Sequence, residues 1–189
     1  MTSTPPPDDV QVLLLPGWLD SGPGHWQTRW ESLHGLQRVQ QADWLWPRRG
    51  DWMTCLEEAL LADERPALLV AHSLGCHLVA AWAAHSRQRH RVAGALLVAP
   101  PDLGRVDLPP QLAPWRPPVL QPLGLPALLA FSSDDPFASA AASQVLAQAW
   151  QVPAWPVGAR GHLNADSGLA DWPEAWSRLH GLAASPACP

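Results

Sequence analysis

The chain has 189 residues, of which 47% are hydrophobic and 15% are charged, and its net charge is −5. These proportions predict a single folded domain over residues 1–189 with a sizeable core, and they exclude long charged disordered tracts. An acidic chain of this kind lacks the basic face of a nucleic-acid-binding protein.

The cellular compartment is predicted from the N-terminal segment, the length of the apolar stretches and the cysteines. Residues 1–9 are polar and proline-rich, which predicts a loose tail and not a signal peptide. No apolar stretch reaches the ~20 residues that span a bilayer. Cys55, Cys76 and Cys188 are odd in number and far apart, so neither a disulfide framework nor a metal site is indicated. We expect a cytoplasmic protein that binds neither membrane nor nucleic acid.

Apolar runs alternate along the chain with stretches of helical periodicity. The predicted strands are residues 10–15, 37–42, 67–71, 92–99, 127–131 and 152–156. The predicted helices follow these strands and cover residues 25–33, 51–63, 76–84, 138–150 and 172–182. Asp51 is predicted to cap the second helix. Prolines at 153 and 156 place the weak sixth strand at a sheet edge.

No hairpin signal joins neighbouring strands, so the pattern predicts an α/β protein: a six-stranded parallel sheet between two helical layers, α/β/α. Sheets of this kind carry their chemistry on loops beyond the carboxyl ends of the strands. The proline-rich segment 102–126 is predicted to be a long loop over one end of the sheet. We expect the loops at 16–24, 72–75, 100–126, 132–137 and 158–168 to meet at one edge.

Ser73 is the candidate nucleophile. It follows the apolar run 67–71 and precedes a helical stretch, which predicts a sharp strand-to-helix turn with the serine at its apex. The N–H groups at the start of that helix would face a negative charge formed beside the serine. The pattern usually reads G-x-S-x-G, but Ala71 occupies the first position, and a small side chain is what this turn requires.

A nucleophilic serine needs a histidine as base and a carboxylate to orient that histidine. His162 is the candidate base, because it lies on a glycine-flanked loop after the last strand. The other histidines suit this role less well: His25, His34, His77, His85, His90 and His180 fall on or beside predicted helices, and His72 should point away from Ser73. Asp135, after the fifth strand and before Pro136, is the candidate acid, with Asp134 and Asp102 as its rivals.

Two backbone N–H groups should bind the oxyanion formed during acyl transfer. The candidates are the N–H of Leu74, directly after the nucleophile, and that of Trp18 in the glycine-rich loop after the first strand. Trp18, Trp115 and Phe137 are candidate walls of the substrate pocket. Ordinary core or lid packing is the equally simple interpretation of these three aromatic side chains.

Five stretches of the chain, taken together, resemble the small serine hydrolases grouped with the retinoblastoma-binding hydrolase. They are LLLPGWLDSGPGHWQTRWE, VAHSLGC, VAPPD, SSDDPF and ARGHLNADSGLADWPEAW. The resemblance runs from Val10 to Leu179 and implies a minimal α/β-hydrolase fold with no large cap domain. It also implies Ser73, Asp135 and His162 as the catalytic triad.

The expected function is therefore hydrolysis of a small carboxylic ester, or of a thioester or amide, through an acyl-enzyme and without a metal or organic cofactor. The missing cap predicts a shallow site for small acyl groups. An alternative is a non-catalytic interaction protein on the same fold, with exposed Trp44, Trp46 and Trp52 as the surface for a protein partner. A lyase or a C–C bond hydrolase would use the same triad and stays open.

Overall fold

The computed structural model describes residues 9–183. The predicted tail lies, except for Asp9, outside the described residues, and so does Cys188. The strands are β1 Gln11–Leu15, β2 Gln37–Arg38, β3 Ala67–His72, β4 Val92–Val98, β5 Ala127–Phe131 and β6 Ala154–Pro156. The α-helices of the described range are α1 Trp26–His34, α2 Arg49–Leu61, α3 Leu74–His85, α4 Ala140–Trp150 and α5 Pro173–Ala183.

The strands form one six-stranded sheet in the order β2-β1-β3-β4-β5-β6, and all neighbouring pairs are parallel. The predicted parallel sheet, three-layer architecture and absence of a large cap are confirmed. β3 lies at the centre of the sheet, between β1 and β4. Its carboxyl end therefore opens into the space between the loops that follow its neighbours.

Each face of the sheet carries its own hydrophobic core. Side chains of a strand alternate between the two faces, so Leu13 and Leu15 enter one core while Val12 and Leu14 enter the other. Helices α2, α3 and α4 cover the first face, and α1 and α5 cover the second. Because the chain has twelve Trp and no Tyr, tryptophan supplies most of the aromatic volume of both cores.

Two predictions about residues of α2 were wrong. α2 begins at Arg49, with Arg48 in the N-cap position, so Asp51 lies inside the first turn and not at the cap. A carboxylate in a first turn still faces the positive end of the helix dipole. Trp52 is fully buried, and its indole N–H donates to the carbonyl of Asp43. Its burial removes it from any partner surface.

Two predictions on secondary structure, for the second strand and for segment 102–126, were also corrected. β2 is only two residues long, because just Gln37 and Arg38 are in register with β1. Segment 102–126 contains a 3-10 helix over Pro110–Trp115 and buries several apolar side chains in the first core, so it is more than a covering loop. Across residues 9–183, no helix has both the length and the apolar composition needed to cross a bilayer.

Candidate active site

Ser73 occupies the turn between β3 and α3 in a strained conformation, with φ 54° and ψ −121°. Its N–H donates to the carbonyl of Val98 at the end of β4, 2.8 Å away. A Cβ at Gly75 would lie 2.2 Å from the carbonyl oxygen of Leu15, and one at Gly17 would lie 2.7 Å from Cβ of Ser73. The absence of two side chains therefore lets the turn pack against β1 and its loop.

Ala71 occupies the position of the usual first glycine and is fully buried near the end of β3. The turn therefore accommodates this small side chain. The one thiol near the serine is also buried. The Sγ–H of Cys76 faces the carbonyl of Val98 at 3.3 Å, and burial raises the pKa of this thiol well above its usual range. The thiol therefore remains protonated and is a poor nucleophile.

The structure brings Ser73, His162 and Asp135 into one hydrogen-bonded chain. Nε2 of His162 lies 2.9 Å from Oγ of Ser73, and Nδ1 of His162 lies 3.0 and 2.9 Å from the two carboxylate oxygens of Asp135. The side chains of His162 and Asp135 are only 10% and 3% exposed. A carboxylate accepts at Nδ1–H, so Nε2 carries the lone pair that faces the serine hydroxyl.

The two rival carboxylates lie elsewhere. Oδ1 of Asp134 accepts from the hydroxyl of Ser132 at 2.6 Å and from the N–H of Gly161 at 2.7 Å. These two hydrogen bonds, the hydroxyl bond first, lower the pKa of Asp134. Asp102 caps its own turn by accepting from the N–H of Gly104. Neither carboxylate is hydrogen-bonded to His162.

A cleft of about 340 Å³ opens beside the serine. Two of the candidate wall residues, Trp18 and Phe137, line it, and Phe137 also packs edge-on against the His162 ring at 4.5 Å between centroids. Five further apolar lining residues come from the segments that follow β1 and β4, namely Leu19, Pro101, Leu108, Pro109 and Leu112, and two more are Leu74 and Ala165. The cleft is thus mainly apolar, and its polar lining beside the serine and His162 comes from Asp20, His25, His72 and Asn164.

The prediction that Trp115 forms a pocket wall was wrong. Its side chain is 1% exposed and packs against the ring of Trp52 in the first core. Its indole N–H donates to the carbonyl of Pro47 at 3.0 Å. Trp115 therefore packs segment 102–126 onto the first core, whereas Leu112 of the same 3-10 helix lines the cleft.

The two predicted oxyanion donors both belong to residues that line the cleft. The N–H groups of Trp18 and Leu74 donate to no other residue within the described part of the chain. Trp18 is fixed by its own side chain, whose indole N–H donates to the carbonyl of Leu45 at 3.0 Å. Leu74 is the first residue of α3, where the helix dipole adds to the positive potential.

Two histidines that sequence reasoning set aside also line the cleft, and a third lies behind it. His72 and His25 pack edge-to-face with ring centroids 4.6 Å apart, and His72 continues to His162 at 5.0 Å. Burial is the main cause that lowers the pKa of His25 to about 4 and the pKa of His72 well below its usual range. Burial likewise lowers the pKa of His77, behind the cleft, to about 4. In the sequence, the only indication that His72 belongs to the site is its position directly before Ser73.

The arrangement can activate the serine hydroxyl by proton transfer to an oriented imidazole, beside two N–H donors. A hydroxyl, an oriented imidazole and two N–H donors are the groups that acyl transfer requires. Within residues 9–183 no group of three or more His, Cys, Asp or Glu side chains is arranged to hold a metal ion.

Known proteins that match this chain include hydrolases. A family model described as serine hydrolase matches residues 12–181. A protein from Pectobacterium atrosepticum described as a YdeN-like hydrolase is 29% identical, with a TM-score of 0.81 over 93% of this chain and 91% of that one. No curated protein matches the sequence.

Two further solved structures share the fold at lower identity. The ydeN gene product of B. subtilis is 22% identical, with a TM-score of 0.69 over 93% of this chain and 99% of that one. A carboxylesterase from Bacillus cereus is 18% identical, with a TM-score of 0.58 over 95% of this chain and 90% of that one.

Proposed function

We propose that this chain, which belongs to the serine hydrolase family, hydrolyses small carboxylic esters through Ser73, His162 and Asp135. The observation that carries the proposal is the unbroken hydrogen-bonded chain from Oγ of Ser73 through the imidazole to Asp135, with 2.9 Å at each of its two closest links. A solved structure that shares the fold is a carboxylesterase, and this favours esters over thioesters and amides.

The reaction begins when His162 takes the proton of Ser73 and Oγ attacks the ester carbonyl carbon. The carbonyl oxygen becomes an oxyanion that accepts from the N–H groups of Trp18 and Leu74. Asp135 keeps Nδ1 of the imidazole protonated and stabilises the imidazolium. The imidazolium then protonates the leaving alcohol, and an acyl-enzyme remains on Ser73. Water activated by His162 releases the acid.

The dimensions of the cleft favour a short acyl group. A site of about 340 Å³ lies at the small end of the range for ligand pockets. Its walls are mainly apolar, so each methylene that fits adds binding energy, of order 0.8 kcal/mol when fully buried. An ester with an acyl chain of a few carbons fits within such a site together with its leaving alcohol, and we expect such esters to be the preferred substrates.

The test compares p-nitrophenyl acetate, butyrate and decanoate as substrates for the wild type, Ser73→Ala and Ser143→Ala. Ser143 is a buried serine on α4 outside the cleft, so its substitution controls for loss of a buried hydroxyl. We expect hydrolysis of the two short esters by the wild type and Ser143→Ala, and none by Ser73→Ala. A folded wild type that hydrolyses no ester, thioester or amide would leave the interaction-protein alternative instead.

A further inference from the structure

The backbone that carries His162 has an unusual shape. Gly161 and Leu163, on either side of it, both have positive φ, 59° and 50°. Glycine adopts this left-handed region freely, but a leucine does so only when its surroundings hold it there. The side chain of Leu163 is fully buried in the second core, which supplies one such restraint.

Two buried side chains bind the consecutive carbonyls of His162 and Leu163 from the inner side. Nε2 of His72 lies 2.9 Å from the carbonyl oxygen of His162. The indole N–H of Trp26 donates to the carbonyl of Leu163 at 2.8 Å. His72 and Trp26 are 5% and 1% exposed. Both donors come from elements fixed in the sheet and in α1, far from the loop along the chain.

The outer side of the same loop is held by the turn after β5. The N–H of Arg160 donates to Oγ of Ser132 at 2.8 Å, and the N–H of Gly161 donates to Oδ1 of Asp134 at 2.7 Å. These bonds end at residue 161. Beyond the histidine, Oγ of Ser167 donates to the carbonyl of Arg160 at 2.6 Å and accepts from the N–H of Asn164 at 3.1 Å. Of all these partners, only His72 binds the backbone of the base itself.

The chemistry of His72 suits a permanent donor. A carbonyl oxygen can only accept, so Nε2 of His72 must carry the proton. Its ring is confined between the rings of His25 and His162, at 4.6 and 5.0 Å between centroids. His25 is fixed in turn, because its Nδ1 accepts from the N–H of Gln27 at 3.1 Å.

We propose that His72 is a positioning residue for the catalytic base: its Nε2–H holds the carbonyl of His162 and thereby sets the approach of the imidazole to Oγ of Ser73. The inference rests on the proposed function, since it assigns His162 as the base. Proton transfer depends steeply on donor–acceptor geometry, and a displacement near 1 Å can cost about 10²-fold in rate. Trp26 fixes the next carbonyl and limits how far the loop can move.

Two variants of matched shape test this role. Gln places an amide N–H at the same number of bonds from Cα as Nε2 of histidine, whereas Met has the same length and no donor. The readout is the second-order rate at which a fluorophosphonate labels Ser73, together with kcat and KM for p-nitrophenyl acetate. We expect His72→Met to label about 10- to 100-fold more slowly, with the loss in kcat and KM nearly constant. His72→Gln should recover most of that rate.

His77 provides the control for a purely structural loss. It is also buried, and its Nε2 lies 2.8 Å from a backbone carbonyl, that of Pro101, which is not on the loop of the base. We expect His77→Met to lower the urea midpoint as His72→Met does, while labelling stays near the wild-type rate. Equal labelling by His72→Met and wild type would overturn the positioning role and leave the proposed function intact. A wild type that does not label would overturn both.

Discussion

Asp135 and Asp134 are adjacent along the chain, but only Asp135 contacts the imidazole of His162. Asp135 faces Nδ1 of His162 and is 3% exposed, whereas Asp134 binds the backbone of the same loop at Gly161. Both acids therefore act on one loop, one through the imidazole and the other through the main chain. The two positions require different charge states. A carboxylate that orients an imidazole must stay ionised, whereas a side chain that accepts from a backbone N–H does not need a charge.

Asp135→Asn and Asp134→Asn should accordingly have very different effects on p-nitrophenyl acetate hydrolysis. An amide at 135 permits the wrong imidazole tautomer, and we expect kcat to fall by up to ~10⁴-fold. An amide at 134 still accepts through its own oxygen, so we expect a loss of less than about tenfold, through loop geometry alone. If Asp134→Asn is the more damaging change, the acid has been assigned to the wrong residue.

Among the elements, the turn between β3 and α3 depends on close contact with β1. A Cβ at Gly75 would lie 2.2 Å from the carbonyl oxygen of Leu15 and 2.9 Å from that of Pro16. Both neighbours are backbone atoms at the end of the strand next to β3 in the sheet, so neither can move aside without disturbing the ladder. The turn and the strand are thus packed as one unit.

Gly75→Ala should therefore destabilise the protein by roughly 3 kcal/mol, the upper part of the range for overpacking. Gly50→Ala is the matched control, because Gly50 lies exposed in α2 and a Cβ at this position would meet nothing within 4 Å. In a helix, alanine is favoured over glycine, so this variant should be more stable by about 0.5 to 1 kcal/mol. Urea unfolding of both variants measures the difference, and a Gly75→Ala protein as stable as wild type would contradict the packing.

The elements also show how far the sequence reaches. β1, β3, β4 and β5 are buried on both faces, so their apolar runs are continuous and easily recognised. β2 was predicted too long, because pairing with β1 and not the pattern of its own residues determines where it ends. The order of serine, aspartate and histidine after β3, β5 and β6 predicted where the candidate residues lie, and their catalytic roles remain predictions.

Contacts between distant parts of the chain explain what the sequence did not show. The indole of Trp115 meets the carbonyl of Pro47, 68 residues earlier, and no local pattern separates such a buried tryptophan from a pocket wall. For His72, strand alternation predicted a direction away from Ser73. It could not predict that the backbone of His162, 90 residues later, would lie there.

For the molecule as a whole, three buried histidines make stability depend on pH. Burial is the main cause that lowers the pKa of His25 and of His77 to about 4, and it also lowers the pKa of His72 well below its usual range. Below pH ~6.5 the unfolded chain binds protons that the folded chain does not, so stability falls as pH decreases. Carboxylates with lowered pKa values, such as Asp63 at about 2, lose their contribution only at more acid pH.

His77→Gln isolates one of these contributions, since its amide can still donate to Pro101 but does not titrate. Between pH 7.5 and pH 5, one histidine with a pKa of about 4 costs on the order of 2 kcal/mol of unfolding free energy. We expect the variant to lose that much less stability than wild type over this interval, by urea unfolding at both pH values. An identical loss in the two proteins would show that His77 titrates normally when folded.

Every step of the proposed reaction depends on Ser73 being the nucleophile of this hydrolase. To test this, the folded protein is treated with a fluorophosphonate and digested, and the modified peptide is mapped by mass spectrometry. We expect one phosphonate for each protein molecule, carried by Ser73, and no label on Ser73→Ala. A label on another residue, or labelling that survives Ser73→Ala, would contradict the assignment.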